Sequence, residues 1–279
     1  MELDVRHRIV LRAGEGEEVA TGDDVSLKIL ADLEQLSFTL TWYGGRRNGA
    51  APHIHKQHAD AFFVLEGELV FLTADEPVAA PAGSAVVVPP KVIHGFNHDD
   101  DTDVRFLNLH TPNMGFAESL RARHRPGYDQ TRYDSFDASA DAPPGVRVVA
   151  PGEGDQLESG TRTATIKIAR DELTLVEFEL QPGFEGPQAH VHRRHADSFF
   201  VVEGEPELRV GDETVRGAPG TFVSAPPGVV HSFANAGPGR ARLINVHAPS
   251  CGFHEYLHIM ERERELNEAT HARYDVYEV

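Results

Sequence analysis

The sequence has almost no cysteine, no long apolar run and a deficit of positive charge, and each shortage excludes a class of protein. With one cysteine, Cys251, in 279 residues, the chain cannot form an internal disulfide, so packing or bound metal must stabilise it. No run approaches the roughly 18 apolar residues that a membrane span needs. The 26 Lys and Arg residues are scattered among 44 Asp and Glu residues, which argues against binding to a phosphate backbone. Neither nucleic acid nor a membrane is therefore an expected partner.

The start of the chain and its single thiol support two further expectations. Residues 1–12 mix charges and lack the apolar core of a secretory signal, which favours a cytoplasmic protein. Cys251 has the chemistry of a catalytic nucleophile, but it aligns with Met114 in an internal repeat. That alignment favours a small buried apolar residue over a catalytic one.

The chain does contain one histidine-rich segment twice. The first copy, PHIHKQHADAFFVLEGE, begins at Pro52, and the second, AHVHRRHADSFFVVEGE, begins at Ala189. Matched residues lie 137 apart, and the same separation relates the later segments 105–112 and 242–249. Each copy is therefore a unit of about 135 residues, a usual size for a domain.

This repeat predicts two domains, 1–136 and 146–279, joined by a linker at 137–145 whose prolines and small residues cannot sustain a helix or a central strand. Within each domain, short runs of Val, Phe, Ile and Leu are separated by Gly, Pro and Asn, which is typical of antiparallel strands. A parallel sheet would need helical crossovers, for which these spacings leave no room. The polar ends of both copies predict a C-terminal helical segment in each domain.

The histidines of the repeat have the spacing of metal ligands. Residues two apart on a strand face the same side, so His53 and His55 point inward together if either does, and Asp60 follows after a short turn. His94 comes from a later strand. The second copy offers the equivalent set, which consists of His190, His192, Asp197 and His231. Three imidazoles and a carboxylate suit one divalent transition ion per domain, namely Fe, Mn, Ni, Cu, Co or Zn, rather than Ca or Mg.

At these positions the chain resembles the cupin superfamily, and within it the two-domain bicupins of the quercetinase type. The first cupin motif is His-x-His followed by Glu and then Gly, and this chain matches it twice, with His53-Ile-His55, Asp60 and Gly67, and with His190-Val-His192, Asp197 and Gly204. The second motif, Gly…Pro-x-Gly…His…Asn, is complete in the second copy at Gly220, Pro226, Gly228, His231 and Asn235. The first copy departs from it at Lys91 and His98. The resemblance implies an all-β protein of two tandem jelly-roll barrels, each with its ligand site inside.

Both copies carry Asp where the family has Glu. Because Asp is one methylene shorter, its reach to a metal is reduced, and a neighbouring histidine offers an alternative. His58, and His195 in the second copy, share strand parity with the Asp, so each is a candidate for a fourth ligand, a proton-transfer group or a hydrogen-bond partner of the Asp. The candidate catalytic residues are His58, His195, Asp60 and Asp197.

The resemblance implies a metal-dependent dioxygenase that acts on a small phenolic or enolic substrate, with one of these four groups accepting the substrate's proton. A redox-neutral isomerase or decarboxylase and a non-enzymatic small-molecule-binding protein are the alternatives. The expected partners are a small molecule and, in the assembly, either a second copy as a homodimer or the two domains paired as an intramolecular pseudo-dimer.

Two further predictions concern the interior of each barrel. His110 and His247 share a strand face with Asn108 and Asn245, which favours a hydrogen-bonding role over chemistry. In the first copy, one face of the strand before the first motif is polar and consists of Thr39, Thr41 and Tyr43. The equivalent face in the second copy is apolar and consists of Val176, Phe178 and Leu180. If this face lines the barrel, the two pockets differ in polarity. Four phenylalanines, Phe62, Phe96, Phe199 and Phe233, are candidates for the lining or for the core.

Overall fold

The computed structural model describes residues 8–138, 142–263 and 266–279. The chain divides into two compact units, each built almost entirely from antiparallel strands. The N-terminal barrel comprises Gly16–Glu153, and the C-terminal barrel comprises Gly154–Val279 together with the N-terminal segment up to Glu15. The prediction of an all-β protein with two barrels and short helical segments is confirmed.

In chain order, the strands of the first half are β1 (Ile9–Leu11), β2 (Glu17–Gly22), β3 (Val25–Asp32), β4 (Ser37–Gly44), β5 (Arg47–Asn48), β6 (His53–Ile54), β7 (Ala59–Glu66), β8 (Glu68–Leu72), β9 (Val78–Pro81), β10 (Ala85–Val88), β11 (Gly95–His98), β12 (Asp103–Thr111), β13 (Phe136–Asp137) and β14 (Arg147–Val149). Helix α1 (Phe116–Ala122) and a 3-10 turn (Gln130–Tyr133) lie between β12 and β13. The N-terminal barrel consists of a seven-stranded sheet, β14-β10-β7-β12-β4-β3-β2, a four-stranded sheet, β5-β11-β8-β9, and the pair β13-β6.

The strands of the second half are β15 (Asp155–Ser159), β16 (Arg162–Ala169), β17 (Thr174–Leu180), β18 (His190–Val191), β19 (Ala196–Glu203), β20 (Glu207–Val210), β21 (Glu213–Arg216), β22 (Phe222–Ala225), β23 (His231–Ala234), β24 (Ala241–Ala248) and β25 (Tyr277–Glu278). Helices α2 (Phe253–Arg262) and α3 (Glu268–Arg273) precede β25. The C-terminal barrel consists of a seven-stranded sheet, β1-β22-β19-β24-β17-β16-β15, and a five-stranded sheet, β21-β20-β23-β18-β25.

The interior of each barrel follows from the alternation of side chains along its strands. On β12, Phe106, Asn108 and His110 face the inside of the barrel, whereas Leu107 and Leu109 are buried on the opposite face. Phe62 and Phe106 form one core cluster with residues of neighbouring strands. The core therefore fills part of each barrel, and the polar inward positions are left for a site.

Helices α1 and α2 begin at equivalent points of the two barrels. Each follows a glycine in the left-handed region, Gly115 with φ 85° and Gly252 with φ 76°, a conformation that side chains with a Cβ avoid. The turn brings the first helical residue, Phe116 or Phe253, onto an inward-facing histidine of the last barrel strand, as the ring contacts described below show. In the described part of the chain, no helix has the length and apolar character needed to cross a membrane.

The two compact units differ at their ends from the predicted domains 1–136 and 146–279. Strand β14 follows the predicted linker but pairs with β10 of the N-terminal barrel, and β1 precedes that barrel but pairs with β22 of the C-terminal barrel. Both short strands cover a sheet edge that would otherwise present unpaired backbone groups. Part of the predicted linker, residues 139–141, lies outside the described residues.

Candidate metal centres

Strand pairing brings the predicted ligands of the N-terminal barrel together. His53 on β6 forms a backbone bridge to His94, which places the two imidazoles on the same side of the strands. His53 Nε2 lies 3.2 Å from His55 Nε2. Asp60, on β7, approaches from the adjoining strand, with its Oδ2 atom 3.3 Å from His94 Nε2. These four residues are called the N-terminal site below.

The second copy forms the same arrangement, the C-terminal site, from His190, His192, Asp197 and His231. One ligand atom from each of the four lies within 4.8 Å of the others, and all four residues are buried. Asp197 Oδ2 lies 3.1 Å from His231 Nε2 and 3.8 Å from His192 Nε2. Although Asp is one methylene shorter than the Glu of the cupin motif, its carboxylate therefore lies beside the imidazoles in both barrels.

All six ligand histidines are held through the nitrogen that does not face the centre. Their Nδ1–H groups donate to backbone carbonyl oxygens at 2.8–3.1 Å, those of Ala51, Asp134, Val92, Gln188, Asp275 and Val229. This network assigns the tautomer that leaves Nε2 as an acceptor, which is the usual state of a metal-binding histidine.

Three of these Nε2 atoms show that the residues fit a metal ion. Among the described residues, His94, His192 and His231 each bury Nε2 without a hydrogen-bond partner. A buried acceptor without a partner costs about 1–3 kcal/mol, and a coordinated cation removes that cost. The donor set, three imidazole nitrogens and one carboxylate oxygen, suits a transition ion.

The electrostatics of both sites also favour a cation. Burial and neighbouring imidazoles lower the pKa of His53 and of His192 to about 4, and the pKa of His190 lies well below its ordinary value for the same reasons. Burial raises the pKa of Asp197, but the neighbouring imidazoles of His247, His192 and His231 outweigh it and hold this pKa well below the usual range. His53, His190 and His192 are therefore neutral and Asp197 is ionised at pH 7, as metal binding requires.

Each site is supported by an aspartate that the sequence interpretation missed. Asp134 lies in the left-handed region, with φ 57°, and its carbonyl accepts the Nδ1–H of His55 at 2.9 Å. Its carboxylate accepts the backbone N–H groups of Lys56 and Gln57 and faces His58 Nδ1 at 2.8 Å. One residue therefore holds the whole His-x-His turn by four contacts.

Asp275 has the same role in the C-terminal barrel. It has φ 63°, accepts the Nδ1–H of His192 at its carbonyl, and receives Arg193, Arg194 and His195 at its carboxylate. Burial opposes ionisation of this carboxyl, yet these hydrogen bonds lower its pKa to about 2. The sequence does contain a signal for both aspartates, because the tripeptide Arg-Tyr-Asp occurs at 132–134 and again at 273–275.

His58 and His195 lie behind the ligands and use both ring nitrogens. His58 Nε2 lies 2.8 Å from His110 Nδ1, and His110 Nε2 lies 3.1 Å from Asn108 Oδ1. Asn108 Nδ2 in turn donates to Asp60. The chain of contacts from Asp134 to Asp60 is repeated in the C-terminal barrel through His195, His247 and Asn245.

This placement separates the four candidate catalytic residues into two kinds. Asp60 and Asp197 line cavities, whereas His58 and His195 do not belong to the described cavity linings. Both ring nitrogens of His58 and of His195 contact protein groups, which favours the predicted role as hydrogen-bond partners that act through the chain of contacts to Asp60 and Asp197, and the ligand and proton-transfer roles stay predictions. His110 and His247 have the predicted hydrogen-bonding role, and they stack on Phe116 and Phe253 with centroids 3.6 and 3.4 Å apart.

Cys251 does not have the surroundings of a nucleophile. Its side chain is half-buried, and burial raises the pKa of the thiol. A raised pKa disfavours the reactive thiolate. The structural role favoured by the repeat is therefore the better interpretation.

A cavity adjoins each site. The N-terminal cavity has a volume of about 200 Å³ and its wall includes Thr39, Thr41, Tyr43 and Arg123. The C-terminal cavity has a volume of about 250 Å³ and a largely apolar wall that includes Phe178, Phe184, Phe233, Phe253 and Met260. The predicted difference in polarity is confirmed, although Val176 and Leu180 belong to the core. Of the four candidate phenylalanines, Phe96 and Phe233 line the cavities, while Phe62 and Phe199 are in the core clusters.

Comparison with known proteins identifies the same two regions. The family model of the Cupin domain matches residues 43–110 and 176–247. Quercetin 2,3-dioxygenase of Bacillus subtilis (strain 168) is 23% identical to the chain over 264 residues, which cover 80% of the chain and 77% of that protein.

Two solved structures share the fold of this chain. A putative glyoxylate induced protein from Pseudomonas aeruginosa superposes with a TM-score of 0.63 at 15% identity, covering 87% of this chain and 89% of that one. Oxalate decarboxylase from Bacillus subtilis superposes with a TM-score of 0.59 at 14% identity, covering 86% of this chain and 76% of that one.

Proposed function

The chain belongs to the cupin family, with one Cupin domain in each half, and from this premise we propose that it is a metal-dependent, dioxygenase-like oxidoreductase acting on a small phenolic or enolic molecule. The observation that carries the proposal is a largely buried set of three imidazoles and a carboxylate that faces a cavity in each barrel. The similarity to a quercetin 2,3-dioxygenase supports the oxygenase chemistry.

We propose that each site holds one divalent transition ion, bound by His53, His55, Asp60 and His94 in the N-terminal barrel and by His190, His192, Asp197 and His231 in the C-terminal barrel. Such an ion supplies Lewis acidity and, if it is redox-active, electron exchange with dioxygen. Backbone hydrogen bonds to every Nδ1 fix the imidazole rings before any ligand arrives, so the sites are preorganised.

The carboxylates are the groups of each site best placed to move a proton. Asp60 lines the N-terminal cavity, and its Oδ1 atom accepts Asn108 Nδ2 while Oδ2 faces the centre. A phenolic or enolic hydroxyl in the cavity is within reach of this carboxylate as a general base. The chain through Asn108, His110 and His58 orients the carboxylate from behind, and Asp197 has the same surroundings in the C-terminal barrel.

The aromatic wall of the cavities suits a flat ligand. Phe96 and Phe116 line the N-terminal cavity, and Phe178 and Phe233 line the C-terminal one. Aromatic rings pack against a flat substrate and exclude water from the reacting atoms. The volumes, about 200 and 250 Å³, fit a small molecule rather than a polymer segment.

Two measurements test the proposal. Elemental analysis of protein purified without a histidine tag should find close to one transition ion per barrel. Oxygen uptake, measured with a panel of phenols and enols on protein loaded in turn with Fe, Mn, Ni and Cu, should then depend on the ion. Full metal occupancy without oxygen uptake from any combination would reject the oxygenase function.

A second candidate function is redox-neutral, metal-assisted isomerisation or decarboxylation of a small oxyacid. The polar wall of the N-terminal cavity, with Thr39, Thr41 and Tyr43, is the observation that favours it. Release of carbon dioxide or a change of isomer under strictly anaerobic conditions would distinguish this function from the first, which requires dioxygen.

A further inference from the structure

Arg123, which follows helix α1, lines the N-terminal cavity, and its guanidinium group has no acidic partner there. No carboxylate of the described residues lies within 4.0 Å of its guanidinium nitrogens, and its Nε atom is buried without a hydrogen-bond partner. A guanidinium stays protonated at any physiological pH, and a partly buried charge without a partner is costly. The cavity therefore contains a fixed positive charge that no carboxylate of the described residues contacts directly.

Other arginines in similar positions are paired. Arg121, two residues earlier, contacts Glu17 and Asp32 at 2.6 Å. Arg162, which lines the C-terminal cavity, forms an ion pair with Glu261. Nε of Arg162 also lacks a hydrogen-bond partner, so what distinguishes Arg123 from Arg162 among the described residues is the missing carboxylate partner.

The internal repeat shows what this position contains in the other barrel. The counterpart of Arg123, 137 residues later, is Met260, and Met260 lines the C-terminal cavity. The same separation relates three further pairs in which a polar side chain of the N-terminal barrel becomes apolar: Thr39 and Val176, Thr41 and Phe178, and Tyr43 and Leu180. All four polar members line the N-terminal cavity.

We propose that the N-terminal cavity selects a carboxylate-bearing substrate through Arg123, and that the C-terminal cavity takes uncharged flat molecules. A guanidinium binds a carboxylate with two parallel hydrogen bonds, which gives orientation as well as affinity. Arg123 is the only Arg or Lys among the described residues that line this cavity, and Asp60 adds a negative charge, so a monoanion fits better than a phosphate dianion. The inference rests on the proposed function in one respect, namely that the molecule in the cavity is the substrate of the metal site.

The test uses two phenols of similar size, 4-hydroxybenzoate with a carboxylate and 4-hydroxybenzyl alcohol with an uncharged hydroxymethyl group at the same ring position. Binding is measured by isothermal titration calorimetry on full-length, zinc-loaded protein, in which no redox turnover occurs. Arg123→Met, which introduces the residue of the other barrel, should weaken 4-hydroxybenzoate binding by about 10- to 100-fold, the usual effect of losing a charge-assisted contact. It should change the affinity for the alcohol by less than about threefold.

Two further variants keep the test specific. Arg125→Met removes an exposed positive charge two residues away and should leave both affinities unchanged. Arg123→Lys retains the charge and should recover part of the lost affinity. Metal content and melting temperature, measured on each variant, identify any loss that comes from misfolding.

The outcomes separate this inference from the function on which it rests. Unchanged 4-hydroxybenzoate affinity in Arg123→Met, or equal losses for both probes, overturns the carboxylate proposal even if the protein consumes oxygen with phenols. Binding that depends on Arg123, found in a protein that consumes no oxygen with any metal, supports the carboxylate site and rejects the oxygenase function.

Discussion

The two barrels have nearly identical metal sites and different cavity walls. Each site combines three imidazoles, one carboxylate and the same supporting chain of hydrogen bonds. The walls differ at Thr41 and Phe178 and at Arg123 and Met260. The arrangement of the six histidines tolerates little change because a backbone carbonyl fixes each ring through Nδ1, whereas a cavity wall can change polarity without disturbing the strands behind it. Under the proposed function, the shared part would bind the metal and the part that differs would select the substrate.

Of the changes considered, removal of one metal-ligand candidate should produce the largest difference in metal affinity between the two barrels. We expect His53→Ala and His190→Ala each to lower metal affinity in their own barrel by more than about 100-fold, so that each variant loses one of two bound ions. Elemental analysis of the purified variants measures the stoichiometry, and exposed His124 provides the control through His124→Ala.

The activities of the same two variants sharpen the comparison. If the cavities differ in substrate, His53→Ala should abolish turnover of acidic substrates and spare that of neutral ones, and His190→Ala should do the reverse. If both variants lost the same fraction of activity on every substrate, the two cavities would not differ in substrate selectivity.

Substituting the supporting aspartates should have a smaller effect. Asp134→Asn keeps the left-handed backbone, which Asn tolerates, but removes the charge that faces His58 and one of the acceptors for the His-x-His turn. We expect metal affinity to fall by about 10- to 100-fold in that barrel alone, as is usual for residues that orient metal ligands. Asp275→Asn should repeat the result in the other barrel, and competition with a zinc-binding dye measures both. A loss of metal affinity in both barrels from either single substitution would contradict the conclusion that each aspartate supports only its own site.

Acidification should affect the two barrels alike. The pKa values of His53 and His192 are about 4 in the folded protein, below the value of about 6.5 for an unfolded histidine. The unfolded chain therefore binds more protons between these limits, so stability is complete above pH 6.5 and is lost as pH falls towards 4. We expect the metal-free protein to lose at least about 2 kcal/mol between pH 7 and pH 5. Denaturant unfolding at each pH measures this, and a loss of stability confined to one barrel would contradict the expectation that acid affects both.

The smallest expected effect concerns a departure from the cupin motif. Lys91 has φ 72° at a position where the C-terminal barrel has Gly228 with φ 86°. A side chain with a Cβ is strained in this region, so Lys91→Gly should stabilise the protein by up to about 1 kcal/mol. The shift in melting temperature measures it, and Gly228→Lys should produce a shift of the opposite sign.

The sequence was sufficient to predict the all-β fold and the clustering of the eight candidate ligands, because strand alternation and the His-x-His spacing are local properties. It did not identify Asp134 or Asp275, since each contacts the ligands across a long stretch of chain and the Arg-Tyr-Asp tripeptide that both share does not show this contact. Strand parity placed His58 near Asp60 but did not show that both its nitrogens are occupied. Arg123 lies just past a helix, and only the fold shows that this helix end borders the cavity.

The departure at His98 shows how one position can be filled in two ways. The ring of His98 lies between the carbonyl oxygens of Glu68 and Thr102, at 2.8 and 2.7 Å. In the other barrel, the amide group of Asn235 donates to two carbonyl oxygens, those of Leu180 and Gly239. The motif therefore specifies a bridge between two backbone segments and not a particular residue, which is why a mismatch at this position did not affect the fold.

Strand β1 pairs in the C-terminal barrel and strand β14 pairs in the N-terminal barrel, which affects where the chain can be cut into separately expressed fragments. A fragment that ends at residue 136 would leave the edge of β10 open to pairing with any extended peptide, and one that begins at 146 would do the same to β22. During synthesis, β1 leaves the ribosome first and must wait for a partner strand that is made much later. Each half has its own core, but each also needs a short edge strand from the other half of the sequence. We therefore expect either half to be prone to aggregation when it is expressed alone.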